Sequence, residues 1–378
     1  MIYLDNCSTT HKKPRCVYKA FKNGIKKYSV NAGRGSYKLA IDASIKLLEF
    51  RKNVCDFFNS KSLEKVIITK NCTESINLIL RGSAKPNGHI IVSSFEHNSV
   101  LRTLDNLNKS LNISYSIIKP QNPNGVIEIC EIEKAIKENT YLIFINHTSN
   151  VFGATQAIQK IGKLCQKHSI LFGVDVAQSA GHEKIDMQRF NINYLAVAGH
   201  KGLYGAQGIG LTVIHNAKLS PIIFGGTGTN SESIIQPTDF PEGFESGTLN
   251  LPSIFALHEG IKFVQKNQEK INSKIQKLTY YLVNALKENS NVDLFYSNIN
   301  SGVVSFKIKD RENSEVCSIL DSEFKIAVRC GLHCAPLAHE FLNSKSTGLI
   351  RIGISYFNSL REIKKMIRAI NLISSNYY

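Results

Sequence analysis

The sequence predicts an α/β protein, a large unit on a mostly parallel seven-stranded sheet joined to a smaller α+β unit. Three observations predict it. From about residue 66 to 215, short apolar runs alternate with helical patterns, the texture of strands covered on both faces by helices. After Pro252 the texture changes to one long helical stretch and then to a βαββα order. The length, 378 residues, exceeds what one compact core usually organises. Two domains are therefore expected, residues 15–255 for the large one and 1–14 with 256–378 for the small one.

The elements follow in chain order. Met1-Ile2-Tyr3-Leu4-Asp5 reads as a short strand. Val66-Ile67-Ile68-Thr69 feeds a helix over 73–80, and Ile90-Ile91-Val92 feeds one starting near Asn98. Further strands are expected at 113–119, 141–146, 170–176, 194–198 and 208–214. A long helix runs to about Glu288. Beyond it come a strand at 303–308, a helix near 314–321, strands at 326–328 and 349–354, and a helix from Leu360. In such a sheet ligands sit beyond the carboxyl ends of the strands, so the active site is expected in the cleft between the two units.

Composition narrows the function classes. Hydrophobic residues at 43% with 20% charged are ordinary for a soluble globular chain. The apolar runs are far shorter than a membrane span, and no charged-then-apolar signal segment opens the chain, so a cytoplasmic location without a membrane partner is expected. The net charge is +16, from 46 Lys+Arg against 30 Asp+Glu. Its lysines lie along amphipathic helices such as 261–274 and 360–372, without a zinc finger, basic arm or RNA-binding aromatic signature. They read as solvated faces, with a field that favours anionic cofactors or an acidic protein partner, and no nucleic acid is expected. Nine cysteines contain no CxxC pair, so no metal site is expected and most read as buried thiols of a reducing compartment.

Two segments point to a cofactor. The apolar run from Tyr194 to Ala198 ends in Gly199-His200-Lys201-Gly202. A lysine at the rim of a buried sheet is costly unless it is paired, covalently occupied or functional. Upstream, the strand 170–176 carries Asp175, which has no nearby basic partner in sequence. An aldehyde cofactor needs a lysine amine to form a Schiff base and a carboxylate to keep a pyridinium nitrogen protonated. Together, in this order, they point to pyridoxal 5'-phosphate.

Other segments carry two readings each. Thr73, at the junction Thr69-Lys70-Asn71-Cys72-Thr73-Glu74, either helps a helix N-terminus bind phosphate or simply caps that helix. His97, at a strand end, suits stacking on a flat ring, proton handling or capping. Asn150 suits donation to a phenolate or carboxylate, or a turn. Arg351, in an otherwise apolar strand, pairs with a protein or a substrate carboxylate. Cys334, in Arg329-Cys330-Gly331-Leu332-His333-Cys334-Ala335-Pro336, is a candidate nucleophile on a mobile, glycine-hinged loop near arginine and histidine. The rival readings there are a metal pair or a plain buried thiol.

With Tyr3-Leu4-Asp5-Asn6, Asn31-Ala32-Gly33-Arg34, Thr73-Glu74, Glu96-His97-Asn98, Asp175-Val176-Ala177-Gln178, Gly199-His200-Lys201, Glu245-Ser246-Gly247-Thr248 and Arg329–Pro336, the chain resembles the class V aminotransferase family of fold-type I pyridoxal-phosphate enzymes. Within it, the chain is similar to the cysteine desulfurase and selenocysteine lyase branch with the short catalytic loop. The resemblance implies that Lys201 carries the cofactor and moves the Cα proton, Asp175 pairs with the ring nitrogen, Gln178 bonds the ring's phenolic oxygen and His97 stacks on the ring. It implies phosphate contacts from Thr73 and His200, and from Thr248 into a neighbouring subunit, hence a homodimer. Asn150 and Arg351 would hold the α-carboxylate of L-cysteine, and Cys334 would take the sulfur, with His333 beside it, before passing it to an acceptor protein. Alanine would leave. An aminotransferase or another C–S lyase is the alternative, because the fold alone does not fix the reaction. A nucleic-acid-binding or scaffold protein would explain the charge but not Lys201, Asp175 and Arg351. The chain departs from the family pattern at Ala198, Cys72 and Cys330. Cys330 is expected to be a small buried thiol, a resolving role toward Cys334 being the alternative.

Overall fold

The computed structural model describes residues 1–33 and 35–375, so Arg34 of the Asn31–Arg34 motif lies outside the described residues. The chain opens with β1 (Ile2–Tyr3) and two helices, α1 (Arg15–Lys27) and α2 (Lys38–Phe58). It then alternates β2 (Val66–Thr69), α3 (Cys72–Gly82), β3 (His89–Ser93), α4 (Asn98–Leu111), β4 (Ser114–Ile118) and α5 (Ile129–Lys134). β5 (Thr140–Asn146), α6 (Ile158–Lys167), β6 (Leu171–Asp175), β7 (Tyr194–Ala198) and β8 (Gly210–Ile214) complete one seven-stranded sheet.

The spatial order is β2-β8-β7-β6-β5-β3-β4. From β7 to β4 every neighbouring pair is parallel. β8 runs against both its neighbours. The reason is local: residues 199–209, between β7 and β8, form no helical crossover, and a parallel return needs one. Every residue of β2, β3, β5, β7 and β8 is buried. Successive side chains alternate between two cores. In β7, Leu195 and Val197 join one, Tyr194 and Ala196 the other.

Next comes α7 (Leu251–Lys287), started by Asn250, whose side chain accepts from the Ser253 N–H. Leu251, Ile254 and Ile261 pack on the large core, while Leu278, Leu282 and Leu286 pack on a separate small one. Then follow β9 (Val292–Phe295), β10 (Val303–Ile308), α8 (Asn313–Ser322), β11 (Ile326–Ala327), β12 (Arg329–Gly331), α9 (Pro336–Phe341), β13 (Leu349–Gly353) and α10 (Leu360–Ser374). β12-β13-β10-β9 form an antiparallel sheet. β1 pairs in parallel with β11, and Asp5 bridges to Gly353. This docking brings residues 5–8 against Arg351. β9, β12 and α9 were not expected from the sequence. No described helix is long and apolar enough to cross a membrane.

Candidate active site

A cleft of about 220 Å³ opens at the carboxyl ends of the large sheet, with the 329–335 turn contributing Arg329, His333 and Cys334 to its wall. Its lining includes Thr73, His97, Asn150, Asp175, Gln178, His200, Lys201, Cys334 and Arg351. Each large-sheet residue gets there by the same route. Asp175 is the last residue of β6, Gln178 follows it, and Lys201 follows β7; Thr73, His97 and Asn150 follow β2, β3 and β5.

Lys201 Nζ makes no hydrogen bond or ion pair among the described residues. Burial pushes its pKa below the usual lysine value, and Asp175 pulls the other way. That direction favours the neutral amine that attacks an aldehyde. Asp175 is buried, and only its Oδ1 is engaged, accepting from the Ala177 N–H at 2.8 Å and the Cys72 thiol at 3.6 Å. Its Oδ2 has no hydrogen-bond partner among the described residues and could meet a ring nitrogen. Gln178 Nε2 donates to the Cys7 carbonyl at 2.9 Å.

The phosphate end is built at the start of α3. The N-cap is Asn71, not Thr73: its Oδ1 accepts from the Glu74 N–H at 2.9 Å. Thr73 thereby keeps its hydroxyl free of that duty. The N–H groups of Cys72 and Thr73, in the first helical turn, have no acceptor within the helix and could bind an anion. His200 Nδ1 is buried without a partner among the described residues. Burial and Lys201 push the His200 ring down to about 4, so it is neutral. His97 caps α4, its Nδ1 accepting from the Ser99 N–H at 3.1 Å and facing the Ser99 hydroxyl at 2.8 Å. Its other nitrogen then carries the hydrogen. The free Lys201 amine, the half-engaged Asp175 and this anion site fit pyridoxal 5'-phosphate.

Arg351 already has a protein carboxylate. Nη2 donates to Asp5 Oδ1 and Ser8 Oγ, both at 2.9 Å, and Nη1 to the Asn150 carbonyl at 3.0 Å. Its Nε is buried with no partner among the described residues, as is Asn150 Oδ1. Asp5, Cys7 and Ser8 are site residues that sequence reasoning missed; only the Tyr3–Asn6 motif hinted at them.

The Cys334 turn makes specific backbone contacts in the structure. His333 and Cys334 both hold left-handed backbone, at φ 50° and 57°. Asn150 Nδ2 donates to the His333 carbonyl and the Asn98 N–H to the Cys334 carbonyl, each at 2.7 Å. Arg329 Nη2 lies 3.8 Å from Cys334 Sγ. His333 is not the thiol's partner. It is buried and its ring faces the Arg329 carbonyl and His339. Cys330 is half-buried and packs with Cys317 against the small core. Burial raises the other cleft thiols, Cys7 and Cys72, above the usual cysteine range. Thr248 is exposed and lies outside this cleft, on a second one beside the start of α7. Among the described residues no cluster of side chains suits a metal ion.

Fold and site together define a pyridoxal-phosphate enzyme of the aminotransferase type. The family model described as Aminotransferase class-V matches residues 2–366, and the chain belongs to that family. It is 32% identical to the "Probable cysteine desulfurase" of Methanothermobacter thermautotrophicus, over 96% of this chain and 92% of that one. It is 30% identical to the "Cysteine desulfurase" of Wigglesworthia glossinidia brevipalpis, over 98% and 92%. A solved apo cysteine desulfurase from Thermococcus onnurineus superposes with a TM-score of 0.91 at 30% identity, covering 99% of this chain and 94% of that one.

Proposed function

We propose that this chain is a pyridoxal-phosphate-dependent cysteine desulfurase, converting L-cysteine to L-alanine while Cys334 becomes a persulfide. Atoms balance in that exchange: the substrate's Cβ–S bond breaks and an S–S bond to Cys334 forms, the hydrogen lost from the Cys334 thiol is made up by a proton delivered to Cβ, and the substrate's own thiol hydrogen stays on the outer sulfur. The carrying observation is a half-exposed thiol beside a guanidinium, on the wall of the cleft that also holds Lys201. A transaminase needs no such thiol.

When bound, pyridoxal 5'-phosphate supplies an electron sink for the substrate's Cα. Lys201 would hold it and move the Cα proton. Asp175 would pair with the ring nitrogen, Gln178 with the phenolic oxygen, and His97 would stack on the ring. Thr73, His200 and the α3 N-terminus would hold the phosphate. Arg351, oriented by Asp5 and Ser8, keeps Nε for the substrate carboxylate, with Asn150 beside it.

We also propose a homodimer in which Thr248 reaches the partner's phosphate. Ile41, Ile45 and Leu48 form one exposed apolar face of α2, and Phe224 and Ile235, between β8 and α7, are 74% and 77% exposed. An acceptor protein would take the sulfur from Cys334. All nine cysteines are free thiols, which supports a reducing, cytoplasmic setting.

Incubation with L-cysteine tests the reaction. Alanine should appear in all cases, and sulfide should be released continuously only when a thiol reductant is present. Keto-acid production without sulfide would favour the transaminase reading instead.

A further inference from the structure

A buried polar chain lies behind Cys334 and takes no direct part in the chemistry above. His333 Nε2 is 3.1 Å from the Arg329 carbonyl, His333 Nδ1 is 3.3 Å from His339 Nε2, and His339 Nδ1 is 2.9 Å from Ser344 Oγ. All three side chains are buried, His339 completely. The imidazole planes differ by 23° with centroids 5.4 Å apart, as when two rings meet nitrogen to nitrogen.

With both rings neutral, one hydrogen arrangement satisfies the chain. The Arg329 carbonyl only accepts, so His333 Nε2 must donate to it. His333 Nδ1 is then bare and accepts from His339 Nε2. His339 Nδ1 is bare in turn and accepts from the Ser344 hydroxyl. Neutrality has a physical cause: burial pushes His333 to about 3 and His339 to about 4, and the Arg351 guanidinium adds to both.

The chain ends on the backbone that carries the thiol. Arg329 supplies both the pinned carbonyl and the guanidinium beside Cys334 Sγ. Between them, His333 and Cys334 keep left-handed backbone that non-glycine residues hold only when their surroundings fix it.

We propose that His339 is a positioning residue for sulfur transfer, holding the Arg329–Cys334 turn through His333 so that Cys334 stays at the cleft wall beside Arg329. The chemistry rests on the desulfurase reading; the anchoring rests on geometry alone.

The test uses the holoenzyme with His339→Leu, His339→Gln and Ser344→Ala. Three quantities are read: hydrogen exchange of residues 329–335, persulfide formation on Cys334 in a single turnover, and the cofactor's first absorbance change with L-cysteine. In His339→Leu, exchange in the turn should rise about tenfold and persulfide formation should fall about tenfold, while the first absorbance change stays within about twofold. Glutamine, which still donates to His333 Nδ1, should restore most of both losses. Unchanged exchange and persulfide formation in His339→Leu would overturn the proposal. So would equal slowing of both kinetic steps with faster exchange across the large sheet, the mark of a merely structural role. If His339→Leu fails to fold, Ser344→Ala decides: releasing the hydrogen arrangement should raise exchange in the turn about threefold, and no rise overturns it. A wild-type enzyme that forms no persulfide would remove the desulfurase reading, while the exchange data would still decide the anchoring.

Discussion

Lys201 has a free amine in the cleft, and burial lowers its proton affinity while Asp175 opposes that shift. Borohydride reduction of the holoenzyme followed by peptide mapping should label Lys201, and Lys201→Ala should lose both the covalent label and turnover. A label on another lysine would contradict the assignment. Glu96 offers a second test. Its Oε1 accepts from the Ser93 hydroxyl at 2.5 Å and the Asn146 N–H at 2.8 Å, while Oε2 is buried without a partner among the described residues. Burial raises its pKa to about 8, against about 4.3 when unfolded, so the folded state prefers the protonated acid. Its contribution is therefore present at low pH and lost as pH rises through that window. Glu96→Gln removes the slope, so its stability relative to wild type should rise from about pH 5 to about pH 8 by a few kcal/mol, at about 1.4 per unit. Urea unfolding of both proteins at the two pH values checks this, and a pH-independent difference would contradict it. Lys201 and Asp175 were legible because a charge ending an apolar strand is conspicuous. Asp5 and Ser8 were not: their partner, Arg351, lies 346 and 343 residues away, and short-range pattern does not reveal such a contact.

The segment carrying Thr248 is tied down by one buried ion pair. Arg51 of α2 meets Glu245 at 2.6 Å with both side chains buried, and Glu245 also accepts from the Ile68 N–H of β2 at 2.7 Å. Arg51 additionally donates to the Val66 carbonyl. Glu245→Ala would strand a buried guanidinium and leave the Ile68 N–H unpaired, a loss of about 3–5 kcal/mol. Chemical denaturation of the purified variant measures it, and a loss below about 1 kcal/mol, the range of exposed pairs, would contradict this role. At this scale the long strands were easy to read, since β7 is an uninterrupted apolar run and β5 carries one from Tyr141 to Ile145. β12 reads Arg-Cys-Gly and has neither alternation nor an apolar run; its pairing with β13 makes it a strand. β9 has only four residues and follows a 37-residue helix whose pattern masks it. α9 covers only six residues after Ala335, too short for a periodic signal.

For the whole molecule, the mostly parallel sheet followed from strands spaced by helices, but its order and the reversal of β8 come from how the chain returns and were not legible. The exposed apolar face of α2 sets the expected assembly. Sedimentation should show a dimer, and Ile45→Glu, placing a charge at a position 49% exposed in the single chain, should weaken it and speed loss of the cofactor. A monomeric wild type that retains cofactor would contradict the shared site. The most direct test of the central claim, that Cys334 receives the substrate's sulfur, is mass-spectrometric mapping after one turnover with L-cysteine and no reductant. The expected result is one added sulfur on Cys334 with an equal amount of alanine, and neither in Cys334→Ser, which should still bind the cofactor. Sulfur on Cys7, Cys72 or Cys330 instead, with Cys334→Ser fully active, would contradict it.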